Sequence, residues 1–361
     1  MCFWQSAKEK VVAMAGKTEA LNLADRLEIG KVQARSLPTD LNLRELGYVP
    51  FRLDYLFSEF HVPCALYVPV LVQGEESPTF VKVLERGQMF SEDWRWRLSE
   101  EQITVLYAEE ADLVAIGSYF RESLEAALED AWVSVEDQAR MLRAHGAFLA
   151  ESIFGDPYHP DVHESAAWWT GAASRFMAQK TPGASVLYRL FSRRYQVYTH
   201  CVQVALLVMA VCRAMGWRSR DIRDAGTAAL YHDIGKAWVD SRILNKPGSL
   251  TREELEHIHR HPLQAHEHLK RMGWMNANQL EGVLSHHESM DGTGYPHGLK
   301  GKHIHPYARV IHVVDCFDAI TTDRPYRLRT SPYKALRIML NEMRLSFDHH
   351  ILYKYIQFLG S

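Results

Sequence analysis

The feature that most restricts what this 361-residue chain can fold into is the placement of its histidines. Nineteen is a high count, and fifteen of them lie at or beyond His200. Imidazole is the commonest protein metal ligand and the side chain that titrates nearest neutrality. Apolar residues in the same half recur with helical period over Val186–Met215, Arg220–His232, Arg252–His261, Leu263–Arg271, Asn276–His286, Tyr307–Thr322 and Tyr333–Leu345. Such helices bury their apolar stripes by packing as a bundle, and side chains projecting inward from several of them can share one centre.

Five places in that half carry candidate ligands: His200 in YTHCVQVA, His232–Asp233 in YHDIGK, His261 in HRHP, His286–His287 in SHHESMDGTGYP and Asp315 in HVVDCFDAI. Taken singly, blander readings hold. A histidine on an apolar helix is more often a satisfied core residue; two of His257, His259 and His261 are expected to face solvent; the doublet before Glu288 reads as a polar helix end. Asp315 is harder to dismiss, because a carboxylate flanked by Val313, Val314 and Phe317 is costly to bury unless paired or metal-bound. Together, five imidazoles and two carboxylates exceed what one four-coordinate zinc takes. They suit two divalent ions sharing a carboxylate, in the mixed nitrogen and oxygen field that iron, manganese, nickel or zinc accept. Adjacent His232 and Asp233 point about 100° apart on a helix, so one can ligate one ion while the other bridges to the second.

The first half has another texture. Residues 1–35 alternate charged and apolar positions and read as a helical arm. Over 36–117, short β-branched and aromatic runs at Cys64–Val72, Thr79–Leu84 and Ile103–Tyr107 are separated by turn-like breaks, which predicts a small α/β or α+β module with an accessory or sensory role. Helical periodicity over 118–182, broken at Phe154–His163, reads as a helical linker, and KTPGAS marks the boundary before a C-terminal domain over 183–361. The fold class expected is therefore mainly α, an all-helical bundle preceded by a smaller mixed module.

A net charge of −3 with 24% charged residues gives no basic excess for a nucleic-acid polymer. The five cysteines form no C-x-x-C pair and suit a reducing compartment. No basic-then-apolar leader is evident, and apolar stretches such as Ala205–Val211 fall short of the roughly 20 residues a membrane span needs. The expectation is a cytoplasmic protein without a membrane partner.

The segments HDIGK (His232–Lys236), HHESMDGTGYP (His286–Pro296) and ARVIHVVDCFDAITTDRPYR (Ala308–Arg327), in that order and at those intervals, resemble the HD-GYP family of HD-domain phosphohydrolases. The resemblance covers roughly the second half of the chain. It implies an all-helical, metal-dependent phosphodiesterase that opens cyclic di-GMP to linear pGpG, with GMP as the product of a second cut, through a metal-bridging hydroxide. Carried over by position, His200, His232, Asp233 and Asp315 would hold one ion, Asp233 would bridge, and His261, His286 and His287 would hold the other. Lys236 would meet the scissile phosphate, making Asp233 and Lys236 the catalytic pair. Arg324 and Arg327 would contact phosphate or base. Gly294, Tyr295 and Pro296 form the signature loop, which together with the N-terminal module offers a surface for a signalling partner or a second copy of the chain.

Two positions depart from that pattern. Where members with three metals carry a glutamate four residues before the first histidine, this chain has Gln196, and an amide is a poor ligand; two divalent ions per chain are expected, iron or manganese ahead of nickel or zinc. Ala265 stands where a glycine is usual. The competing expectation is a receptor that binds a cyclic dinucleotide without turnover, but retention of all seven ligands and Lys236 favours the enzyme.

Overall fold

The computed structural model describes residues 46–58, 60–70, 78–180, 183, 185–187, 196–246, 248–323 and 328–360. The arm expected over 1–35, and Arg324 and Arg327, lie outside the described residues. The chain divides into two compact units, Met1–Tyr119 and Phe120–Ser361.

The first unit is an antiparallel sheet with a helix, an α+β arrangement. Strands β1 (Tyr48–Arg52), β2 (Leu66–Val70), β3 (Thr79–Leu84) and β4 (Val105–Glu109) lie in the order β1-β4-β2-β3. Alternation drives it: Val49 and Phe51 of β1, Leu66 and Val68 of β2, and Leu106 and Ala108 of β4 are buried, while their neighbours are not. β1 escaped the sequence reading because YVPFR is short and carries Pro50, yet on an edge strand a missing amide is tolerated. Helix α1 (Glu92–Glu100) is started by Ser91, whose side chain accepts from the Trp94 amide.

The second unit is helical. Helix α2 (Leu113–Glu129) contains the division between the units, and α3 (Val135–Gly155) and α4 (Pro160–Lys180) follow. These helices, anticipated as a linker, supply core to the second unit: Trp169 of α4 is fully buried and its indole donates to Leu142 O of α3 at 2.9 Å. Helix α5 (Val197–Ala214) is by length and composition apolar enough to cross a membrane, but 78% of it is buried inside the fold. It is the central element of the bundle. Around it come α6 (Ser219–Tyr231), a 3-10 turn over Ile234–Trp238, α7 (Arg252–Ile258), α8 (His261–Met272), α9 (Ala277–Leu284), α10 (Pro306–Thr321), α11 (Pro332–Asn341) and α12 (His349–Leu359).

Helix boundaries decide where the candidate ligands stand. Pro262, in the first turn of α8, costs no hydrogen bond there because the early amides of a helix have no internal partner. The break therefore falls before His261 rather than after it, and His261 opens α8. The helix expected over Asn276–His286 stops at Leu284, so His286 and His287 lie in the turn that follows.

Candidate metal centre

Five elements or turns of the bundle deliver one side chain or a pair to a common centre. His200 comes from the first turn of α5, His232 and Asp233 from the end of α6, His261 from the start of α8, His286 and His287 from beyond α9, and Asp315 from the middle of α10. All are buried except His287, which is partly exposed. Ligand atoms of Asp233, His261, His286 and His287 lie within 4.8 Å of one another, and so do those of His200, His232 and Asp315. Asp233 faces both groups: its Oδ1 is 3.2 Å from His261 Nε2, and its Oδ2 is 3.5 Å from His232 Nε2 and 3.7 Å from His200 Nε2.

The rings are held from behind. His232, His261 and His286 each place Nδ1 within hydrogen-bond reach of the carbonyl three residues earlier, at 2.6 Å from Ala229 O, 2.8 Å from Ile258 O and 2.7 Å from Val283 O. A carbonyl only accepts, so Nδ1 carries the proton and Nε2 presents its lone pair inward. His261 Nε2 and His286 Nε2 consequently face each other at 3.2 Å. Two lone pairs cannot hydrogen-bond. Nitrogens about 2.1 Å from one ion stand about 3 Å apart when the bonds meet at a right angle, so a divalent cation fits what these two atoms need. His232 Nε2, fully buried, has no hydrogen-bond partner either. The donor set, imidazole and carboxylate in mixture, suits such ions.

Electrostatics agree with that fit at Asp233 and His286, while His200 must release a proton before it can ligate. Burial would raise the Asp233 carboxyl, but Lys236 and the imidazoles of His232 and His261 outweigh it and hold Asp233 well below the usual carboxylate range. Burial opposes a charged His200, yet its hydrogen bonds to Asp315 and Asp318 win and lift it to about 9. His286 goes the other way, depressed by burial and by the neighbouring His232 and His261. Asp233 is thus charged and His286 neutral at neutral pH, the states in which each can ligate a cation.

Lys236 sits one 3-10 turn after Asp233 and its Nζ donates to Asp233 Oδ2 at 2.5 Å. The turn is possible because residue 235 is glycine: a Cβ there would come within 1.9 Å of His261 O, and a backbone carbonyl cannot yield. The signature loop is wedged as tightly, since a Cβ on Gly294 would meet His287 O and Ser289 N at 2.4 Å. Tyr295 lies between two imidazoles, stacked on His259 at 3.9 Å and tilted against His287 at 4.7 Å between ring centres, and a cis bond joins it to Pro296. His257 and His259 are half-buried rather than solvent-facing.

Sequence reasoning missed the residues that support the ligands. Asp318, one helical turn beyond Asp315, is buried and accepts from His200 Nδ1 and, at 3.0 Å, from Gln203 Nε2. The i, i+3 spacing of the two aspartates was the available signal. Glu288, read as an exposed helix end, is buried and accepts from the His297 and Leu299 amides at 2.7 and 2.8 Å. His312 reaches His286 O with Nδ1 at 3.1 Å and Ser346 Oγ with Nε2 at 3.0 Å. Gln196 and Ala265, the two departures, stand at the start of α5 and buried within α8.

A helical bundle that converges an His–Asp pair, four further imidazoles and a second carboxylate on one centre is the architecture of the HD-domain phosphohydrolases, which use divalent metal ions. Residues 185–351 match the HD domain family, and with its HHE and GYP segments the second unit belongs to the HD-GYP branch. The chain is 38% identical over 174 residues to a cyclic di-GMP phosphodiesterase of Pseudomonas aeruginosa, covering 48% of this chain and 42% of that protein. It is 35% identical over 150 residues to a 3'3'-cGAMP-specific phosphodiesterase of Vibrio cholerae (41% of this chain, 32% of that protein). It is 36% identical over 141 residues to a response-regulator cyclic di-GMP phosphodiesterase of Xanthomonas campestris (38% and 37%). The chain thus spans well under half the length of each relative. A solved HDG"Y"P protein from Bdellovibrio bacteriovorus shares the fold with a TM-score of 0.67 at 18% identity, over 87% of this chain and 100% of that one.

Proposed function

We propose that this chain is a phosphodiesterase that opens cyclic di-GMP to linear pGpG and, by a second cut, to GMP. The observation that carries the reading is the sharing of Asp233 between two ligand groups, His200, His232 and Asp315 on one side and His261, His286 and His287 on the other. Bound there, a pair of divalent ions supplies an activated water and charge neutralisation at the phosphoryl oxygens. The residues do the rest. Asp233 stays charged between the two groups, the three Nδ1–H to carbonyl bonds keep the imidazoles aimed, and Lys236 offers a cation that moves from Asp233 to the non-bridging phosphate oxygens as charge grows on them. Arg324 and Arg327, outside the described residues, are assigned to the phosphates or bases of the bound ring.

The names of the relatives, most of them cyclic di-GMP phosphodiesterases, support that substrate; the 3'3'-cGAMP-specific ones make the mixed ring the comparison to run beside it. The test is to load the purified protein with iron under anaerobic conditions or with manganese, supply each ring, and chromatograph the products. Linear dinucleotide from wild type, and neither product nor full metal content from Asp233→Ala, is the expected result. Tight binding without any linear product would identify a receptor instead.

A further inference from the structure

A thiol borders this centre. Cys201 follows His200 on α5, is fully buried, and its Sγ lies within 4.8 Å of ligand atoms of both His232 and Asp233. Two atoms of that group, His232 Nε2 and Asp233 Oδ1, have no hydrogen-bond partner, and both side chains are fully buried. A buried cysteine is otherwise a small apolar side chain. Cys212, equally buried on the same helix, joins none of the potential ligand groups among the described residues. The difference lies in the neighbours.

We propose that Cys201 is an additional ligand, recruited with His232 and Asp233 by a thiophilic cation such as zinc or cobalt and left unused by manganese. Sulfur binds zinc at about 2.3 Å and imidazole nitrogen at about 2.0–2.1 Å. Two such atoms on one ion are therefore at most about 4.4 Å apart, and with the group's ligand atoms all within 4.8 Å of one another, at most a small side-chain movement meets that limit. Softness decides which ions recruit the sulfur: thiolate selects zinc-like ions, while carboxylate and imidazole satisfy manganese. As the sulfur–metal bond forms, the thiol proton passes to the buffer and the metal keeps its oxidation state. The consequence is a centre that discriminates among divalent ions by softness, holding thiophilic ones in a nitrogen, oxygen and sulfur set that engages the shared carboxylate.

The inference rests on the two-ion reading of the site, and cobalt separates the two. Metal-stripped full-length protein is titrated with Co(II) while its absorption is recorded. Near-ultraviolet sulfur-to-cobalt charge transfer is expected in wild type and in Cys212→Ser, and its loss in Cys201→Ser and Cys201→Ala; alanine guards against a serine hydroxyl that the core rejects. In competition with a chelator, zinc affinity of the Cys201 variants falls by roughly tenfold or more while manganese affinity is unchanged. Cobalt uptake with ligand-field bands but no charge transfer overturns the thiol ligand and leaves the two-ion reading standing. A band that survives both Cys201 substitutions also overturns it. No cobalt uptake at all overturns both.

Discussion

His200 Nδ1 stands 2.6 Å from Asp318 Oδ2, with both side chains buried. The carboxylate fixes the ring so that its other nitrogen faces Asp315 at 3.1 Å and Asp233 beyond it. Asp318 also accepts from Gln203 Nε2, so its two oxygens serve two donors. Asparagine has one acceptor oxygen and an amino group, and one of those donors would then face another donor. Asp318→Asn is expected to lower metal affinity of the His200, His232 and Asp315 group about 10–100-fold, the usual cost of losing an outer partner of a ligating imidazole. Elemental analysis and calorimetric titration check it. Unchanged affinity would mean that the ring is held by packing alone.

Lys236 is expected to separate chemistry from metal retention. Its ammonium contacts Asp233, and a protonated amine has no lone pair with which to hold a cation. Lys236→Gln should therefore keep its ions while hydrolysis of cyclic di-GMP slows roughly a hundredfold or more, the scale for removing one preorganised stabilising group. Steady-state kinetics beside metal analysis decide the matter. Loss of metal in step with loss of rate would recast Lys236 as a support for Asp233.

How much of this was legible in the sequence follows from which interactions are local. His232–Asp233 and Lys236 lie within one turn, and their spacing was readable because a helix and its 3-10 extension impose it. The bundle itself was readable from apolar periodicity. The separation of the two ligand groups came only from resemblance in the sequence and needs the tertiary fold to be seen, since His200 and Asp315 meet across 115 positions of chain. Asp318, Glu288 and His312 were passed over for a related reason: a buried polar side chain looks like a surface one until its partner is known, and those partners are His200, the His297 and Leu299 amides, and His286 O. The helix end near His261 shifted by a few residues because Pro262 starts a helix as readily as it stops one. β1 lay outside the runs that read as strands, since its pairing partner, β4, lies over fifty residues away.

Glu288 clamps the loop that carries Tyr295 and Pro296. Each carboxylate oxygen accepts one main-chain amide, from His297 and from Leu299. Glu288→Gln keeps the shape but replaces one acceptor with a donor, leaving an amide facing an amino group inside a buried site. The expected cost is about 1–3 kcal/mol of stability. It should be accompanied by faster hydrogen exchange at His297 and Leu299 than elsewhere in the second unit. Uniform exchange across that unit would show that the loop is held by Gly294 and its close backbone contacts instead.

The last expectation concerns acid. His145 of α3 is buried, its ring stacked on Phe120 at 4.9 Å between centres, and burial, with a smaller contribution from the Arg121 guanidinium, depresses it to about 3. A histidine that is neutral when folded takes up a proton on unfolding at any pH between its folded value and its unfolded value of about 6.5. In that interval the unfolded chain binds the extra proton, so unfolding free energy falls as pH falls. The contribution is fully present above about pH 6.5 and is lost at up to about 1.4 kcal/mol per pH unit below it. His163 of α4, depressed to about 4 by burial, adds to the slope in the same direction. His145→Phe keeps an aromatic ring against Phe120 and removes the titration. Urea unfolding of the metal-free protein between about pH 6.5 and about pH 4.5 should therefore show a shallower loss of stability in the variant than in wild type. Parallel slopes would place the acid sensitivity in other groups and show that the His145 site admits a proton without opening.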